Sequence, residues 1–296
     1  MEKLHIQFTL FSAFYSPLIS TMTGGFLKDE GFDVEWSVAP PGTSALDALA
    51  DGTAQVVQST ISQGFTALEK GQPPAPRHFA LINDMDGFFI TGRNPDPDFT
   101  WHSLEGADVL VHHGGQPMTM FNYACHKAGI DRSKINIIDA GNAKEMDAAF
   151  RQGRGQYIHQ QGPAPQQLEA DGIGHIMAAL GPVVGSCAFS SLAAMPAWIE
   201  SDQGQAFIRA YARARQYIST QPAAAIAARQ APLFPGIAED VLTDCIAAYQ
   251  QMGCWPQSLT ITDEGFDAML DIFDHDQKIT QRHAYDNICM RINSPA

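Results

Sequence analysis

The sequence predicts a two-lobed α/β protein, each lobe a mostly parallel sheet flanked by helices, with a helical C-terminal tail. Three observations carry this. Strand-like and helix-like segments alternate from residue 4 to about residue 192, the pattern of a largely parallel sheet. The polar, proline-rich stretch Gly92-Arg93-Asn94-Pro95-Asp96-Pro97-Asp98 divides that alternation into two cycles and reads as a linker or hinge. After about residue 195 only helical patterns remain, so the tail must bury its apolar stripes against a sheet face or other helices. The simplest arrangement returns the chain to the first lobe. Lobe I would comprise residues 1–94 and 190–296, and lobe II residues 95–189.

The elements follow in order. Residues 4–11 alternate apolar and polar positions and read as a strand. Residues 16–30 read as a helix stopped by Gly31, and residues 32–38 as a second alternating strand. Pro40-Pro41-Gly42 makes a turn, after which Thr43 or Ser44 can cap a helix over 45–50. A short strand over 55–58, a helix over 61–70, and strands over 78–83 and 88–91 complete the first cycle. The second has a strand over 108–111, a loop through His112-His113-Gly114-Gly115-Gln116-Pro117, and a helix over 118–128. Strands over 135–139 and 157–160 and helices over 143–151 and 163–170 follow. Strands over 175–180 and 188–192 close the block. Helices are expected over 196–200, 205–219, 222–230, 237–250 and 263–279.

Composition narrows the function. Of 296 residues, 45% are apolar, enough for a sizeable core. Eighteen basic against 32 acidic residues give a net charge of −14, which argues against nucleic acid and against anionic membrane surfaces. No apolar run approaches the roughly 20 residues of a membrane span. No basic start, apolar middle and cleavage site marks the N-terminus as a leader. The five cysteines are odd in number and lack framework spacing, which suggests reduced thiols. Together these predict a cytoplasmic protein, the alternative being a periplasmic one whose leader has been removed.

Several segments, taken in order, resemble type II periplasmic binding proteins. The nearest branch is that of the sulfonate, taurine and nitrate binders and the thiamine-pyrimidine binders and synthases. Tyr15-Ser16-Pro17-Leu18 with Phe26-Leu27-Lys28-Asp29-Glu30-Gly31-Phe32-Asp33-Val34 resembles the first helix and second strand of that family. Gly42-Thr43-Ser44 with Leu49-Ala50-Asp51-Gly52-Thr53-Ala54-Gln55, and Ser103-Leu104-Glu105-Gly106-Ala107-Asp108-Val109, match its later blocks. So do Lys127-Ala128-Gly129-Ile130-Asp131 and Ala148-Ala149-Phe150-Arg151-Gln152-Gly153. The resemblance covers most of the chain. It implies two lobes joined by two crossovers, with a ligand in the cleft and, for an exported protein, an ABC permease as partner. This sequence departs from the family in lacking a leader and in carrying Gln160-Gln161-Gly162-Pro163 where relatives often have a Trp-Glu-Pro-like segment. It also lacks the cysteine-rich run of the iron-dependent pyrimidine synthases.

Ligands of open α/β sheets sit beyond the carboxyl ends of the strands, where helix N-termini offer free N–H groups. That rule selects Phe14 and Tyr15 after the first strand, Gly42, Thr43 and Ser44 after the second, and Ser59 and Thr60 after the third. In the second lobe it selects His113, Gly114, Gly115, Gln116 and Gln160. The glycines admit a close backbone approach; the hydroxyls and amides can donate or accept. Each Ser or Thr can equally be a cap serving its own helix. Asp84 is a further candidate, although Asp84 and Asp86 can also form an Asx turn.

Adjacent His112 and His113 would point to opposite faces of a strand and rarely share an ion, so no metal is expected, nor any other cofactor. No nucleophile elbow, phosphate loop or metallohydrolase motif is present. The leading expectation is binding of a small polar, anionic or heteroaromatic organic ligand by closure of the lobes about residues 93–99 and 185–191. The first alternative is a cytoplasmic enzyme of the thiamine-pyrimidine-synthesis-like class using the same cleft. The second is a cytosolic sensor that passes its ligand state to a protein partner.

Overall fold

The computed structural model describes residues 1–40, 42–113 and 115–292. Pro41 of the predicted turn and the candidate Gly114 lie outside the described residues. Strand β1 (Glu2–Phe8) buries Leu4, Ile6 and Phe8 on one face, the period-2 pattern of its sequence. It pairs in parallel with β2 (Phe32–Val38), Leu4 opposite Val34, and with β3 (Val56–Ser59), Ile6 opposite Val56. The other strands of this sheet are β4 (Arg77–Asn83) and β10 (Ser190–Ala194), in the order β2-β1-β3-β10-β4. The second sheet contains β5 (Phe88–Gly92), β6 (Asp108–Leu110), β7 (Asn136–Ile138), β8 (Tyr157–Gln161) and β9 (His175–Ala179). Its order is β7-β6-β8-β5-β9.

Both sheets share one device. Four strands run one way, and the strand that enters first from the other lobe runs against them: β5 is antiparallel to β8 and β9, and β10 to β3 and β4. This moves the expected lobe boundary. A cut after residue 94 would leave β5 in lobe I, yet Ile90 pairs with His159 and Phe89 with Ala179 of the second sheet. The chain therefore crosses at residues 84–87. Beyond Gly92, the buried end of β5, the proline-rich stretch 93–98 forms a partly exposed turn rather than a crossover, since Pro and Gly report exposure as readily as a hinge.

The helical tail packs on lobe I and also reaches lobe II. The Asp202–Thr220 helix buries Phe207, Ala210, Tyr211, Ala214 and Ile218 along one stripe. Tyr211 there donates its hydroxyl to the Leu81 carbonyl at 2.8 Å. Buried Arg215 donates to the carbonyls of Ile82, at 2.5 Å, and Pro256. The Asp263–His275 helix sets Phe266 and Phe273 against Phe65 of lobe I. Just beyond it, Asp276 accepts from Thr119 and Asn122 of lobe II, both at 2.8 Å. The Glu239–Met252 helix packs on the Ala164–Ala170 helix of lobe II. Its Tyr249 hydroxyl accepts from the Gly162 N–H at 2.8 Å and donates to the Gly87 carbonyl at 2.9 Å. Among the described residues no helix is long and apolar enough to cross a membrane.

Tyr249 is fully buried, and burial pushes its phenol well above the usual range, which keeps the proton it donates. Tyr249→Phe leaves the Gly162 N–H and the Gly87 carbonyl buried without this partner. We expect a loss of about 1–3 kcal/mol in urea-induced unfolding with unchanged far-UV circular dichroism; a loss below about 0.5 kcal/mol would show that the relay contributes little.

Candidate functional site

The carboxyl ends of the inner strands of both sheets face one another across a cavity of about 520 Å³. Lobe I supplies the turn after β1 (Thr9, Leu10, Phe11, Ser12, Tyr15) and the end of β3 with the following helix (Gln58, Ser59, Thr60, Ser62, Gln63, Thr66). Phe189 and Ser190 come from the returning segment. Lobe II supplies Phe88 of β5, the loop after β6 (His112, Gly115, Gln116, Pro117) and the end of β8 (His159 through Ala164). Ala143 and Met146 follow β7, and Phe273 of the tail closes one side.

Local hydrogen bonds fix this wall. The Gln58 side-chain oxygen accepts from the N–H groups of Thr9, at 3.1 Å, and Leu10, at 3.2 Å, and holds the turn after β1. The Tyr15 hydroxyl lies against the Gln161 and Gln58 amides, and burial raises its pKa. Ser12 donates across the lobes to the Gly162 carbonyl at 2.6 Å. Gln116 spans the lobes as well. Its side-chain oxygen accepts from Thr60 and, at 2.8 Å, from Ser62; its amide nitrogen donates to the Phe189 carbonyl at 2.8 Å.

His159 stacks on Phe88, ring centroids 4.3 Å apart, with Phe121 also beside it at 5.4 Å. It is fully buried, and burial pushes its pKa down to about 3, so the imidazole is neutral. His112 is shifted down for the same reason.

Of the candidates, the wall brings together Tyr15, Ser59, Thr60, Gly115, Gln116 and Gln160. The other described candidates lie elsewhere. Phe14 is a core wedge: its ring sits where a Cβ on Gly87 would be, and its carbonyl accepts from Asn83 and Trp255 at 2.8 and 2.9 Å. Ser44 caps the Ala45–Ala50 helix and donates to Gln63 at 2.8 Å, standing behind a wall residue. Exposed Thr43 donates to the Pro40 carbonyl at 2.7 Å, and Gly42 has φ +80°. These three follow β2, the outermost strand of its sheet, one strand spacing further from the cavity. His113 is exposed and bonded to the Val111 carbonyl at 2.8 Å, while His112 faces inward. Alternation along the strand end put the neighbour, not His113, on the inner side. Asp84 lies on the crossing, its carbonyl accepting from the Cys187 N–H at 2.7 Å.

His159 is not among the residues that the strand-end rule selects. Its signal was present: three polar residues, His159-Gln160-Gln161, within a strand, where an unexplained buried polar run marks a site. Gln58, at the end of buried β3, carried the same signal. Among the described residues no group of three or more His, Cys, Asp or Glu is placed to hold a metal.

A two-lobed α/β architecture with an enclosed site at facing strand ends is that of the type II periplasmic-binding-protein fold. The model of the NMT1-like family matches residues 2–231, and the chain belongs to that family. The chain is similar to "Putative binding protein YtlA" of Bacillus subtilis (strain 168), with 23% identity over 292 residues, covering 97% of this chain and 87% of the relative. Among solved structures it resembles the ligand binding component of an ABC-type import system from Staphylococcus aureus with zinc bound. The TM-score there is 0.78 and the identity 17%, over 98% of this chain and 97% of that one. It also resembles the periplasmic aliphatic sulphonate binding protein SsuA from Escherichia coli, with TM-score 0.75 and 16% identity over the same shares.

Asp86, on the crossing, forms the Asx turn: its Oδ1 accepts from the Phe88 N–H at 2.6 Å, and its Oδ2 is buried without a partner. Burial raises its pKa to about 7. The folded state therefore holds this proton more tightly than the unfolded chain does. The resulting stabilisation is complete below about pH 4 and is lost as pH rises to about 7. We expect Asp86→Asn to remove a fall in stability on the order of 2–4 kcal/mol over that window and to raise Tm at pH 8. Parallel pH profiles of wild type and variant in chemical unfolding would refute this.

Proposed function

We propose that the chain binds one small organic molecule in the interlobe cavity and, where it is exported, serves as the binding component of an ABC-class import system. The carrying observation is that both lobes build the wall and that Gln116 joins them across it. A ligand touching both lobes favours the shut arrangement by its differential contacts, which is the basis of hinge closure. Residues 84–87 and 180–189, the two crossings between the sheets, supply the hinge. The names of the relatives, a binding protein and two import or sulphonate-binding components, support this reading.

The binding reading stands ahead of the enzyme reading for a chemical reason. Thr60 and Ser62 bond to the Gln116 oxygen and Ser12 to the Gly162 carbonyl, Ser59 Oγ has no partner, and none of these four hydroxyls is paired with an imidazole or carboxylate base among the described residues. Nucleophilic catalysis requires such a pair. The partner proposed for an exported chain is an ABC permease; a chain kept in the cytoplasm binds its ligand without one. Five buried, unpaired cysteines support a reducing compartment, the cytoplasm, for the folded chain; fractionation of producing cells separates this from the periplasmic alternative.

Native mass spectrometry of freshly purified protein should retain a small molecule, and small-angle scattering should show a smaller radius of gyration with it than without. Gln116→Ala should weaken its binding about tenfold, chiefly through faster release, with a Tm change of only a few degrees. Neither a retained nor a titratable small molecule would end this reading.

A further inference from the structure

The lobes also meet outside the cavity, along a seam between the Gly115–Lys127 helix of lobe II and the Asp263–His275 helix of the tail. Asp276, one residue beyond the second helix, accepts from Thr119 Oγ1 and Asn122 Nδ2, both at 2.8 Å. Arg132 Nε donates to Asn122 Oδ1 at 2.9 Å, which fixes the orientation of that amide. Two charge-assisted bonds to one carboxylate hold the helices in a set relation.

That relation brings together two histidines from distant parts of the chain. His126 lies in the last turn of the first helix and His275 in the last turn of the second. Their ring centroids are 4.2 Å apart and their planes 32° from parallel. Tyr123 lies beside both rings, at 5.9 and 5.4 Å. Both histidines are exposed. Among the described residues, the histidine rings that bond within the chain are those of His5, His78, His113 and His283; this pair is not among them.

A neutral imidazole carries one in-plane lone pair and is the commonest side-chain ligand of metals. A tetrahedral ion with nitrogen ligands at about 2.0–2.1 Å needs its two donors roughly 3.3 Å apart. Facing rings do not aim their lone pairs at one point. Each must turn about its Cβ–Cγ bond, a soft torsion, while the centroids part by about 1 Å; exposure leaves room for this. The setting favours a cation. Both helices end here, at their partially negative pole. Asp271 stands one turn before His275, and after burial its charge is the next cause raising the pKa of the Tyr123 phenol. Arg282 pairs with Asp271, and Lys278 lies 3.9 Å from Asp276, so these carboxylates supply field rather than ligands. Among the described residues no third His, Cys, Asp or Glu completes a set, which leaves the other positions to water.

We propose that His126 and His275 together bind one divalent transition-metal ion of the zinc, nickel or copper kind across the interlobe seam. Imidazole nitrogen suits these ions, whereas calcium and magnesium require oxygen ligands. With one ligand on each side of the seam, the ion fastens the lobes together outside the cavity. The site stands whether or not the cavity holds a ligand.

The full chain, without a polyhistidine tag and stripped with EDTA, is titrated by calorimetry at pH 7.5 with zinc, nickel, calcium or magnesium chloride. We expect saturable binding of zinc or nickel and none of calcium or magnesium. His126→Gln and His275→Gln should each weaken that binding at least tenfold and leave the metal-free Tm within a few degrees. The double substitution should weaken it little further, because each single change already breaks the same pair. Nickel broadening of the ring NMR signals of both histidines in the wild-type chain carries the test should a variant fail to fold. Absence of saturable zinc and nickel binding overturns the site. Binding that survives either substitution in a folded variant overturns the bridge, as does broadening of only one ring. Equal binding of calcium overturns the assignment to imidazole.

Discussion

The peptide of Gly162 is gripped on both sides, and the arrangement of the two lobes depends on that grip. Its carbonyl accepts from Ser12 of lobe I and its N–H donates to Tyr249 of the tail, whose hydroxyl passes on to Gly87 at the crossing. Four parts of the chain, far apart in sequence, thereby share one buried chain of hydrogen bonds. A Cβ at this position would run into the Cys245 sulfur, so only glycine lets the Glu239–Met252 helix lie so near. Every group in the relay is buried, so breaking one bond strands its partner where water cannot replace it. The same peptide borders the cavity. The element that orders the lobes and the element that forms the site are one.

The strand that runs against its neighbours in each sheet has a matching role. β5 enters lobe II straight from the crossing and carries Phe88 into the wall, stacked on His159. β10 enters lobe I directly after Phe189, with Ser190 as its first residue, and both line the cavity. A rotation at the crossings therefore moves wall residues with it. In the proposed hinge closure, the chain's own connectivity would link binding to lobe movement, with no separate transmitting element.

The fold was largely legible because its local signals agreed with one another. The helix over 143–151 was read with its observed bounds; Asn142 and Glu145 form a capping box at its start. Ser44 likewise set the start of the helix over 45–50. Gly24-Gly25 was underweighted: Gly25 has φ +84° and divides the helix expected over 16–30 in two. The site was half legible, for a physical reason. The strand-end rule identifies loops, but whether a loop reaches the cavity depends on the strand's rank in its sheet and on side-chain parity. Rank removed the turn after β2, and parity exchanged His113 for His112. Phe14 failed differently, since a buried aromatic beside a site and one in the core have the same sequence.

The neutrality of the wall also bears on how the lobes close. Shutting a cleft strips water from whatever lines it, and each charge on the wall would oppose that step unless it met a partner. Here the lining is amide, hydroxyl, neutral imidazole and hydrocarbon, so the proposed closure would desolvate no full charge, while its amides and hydroxyls would need partners. The bond from Gln116 to Ser62 and Thr60 needs no ionic complement and is insensitive to salt. A chain with fourteen net negative charges could not place its acidic surplus near this surface without resisting its own closure. Its acidic side chains lie away from the wall instead, some of them in ion pairs such as Arg209 with Glu30 and Arg282 with Asp271. The charged groups of the described residues thus keep to faces other than the cavity wall, so the proposed closure would bring no like charges together across it.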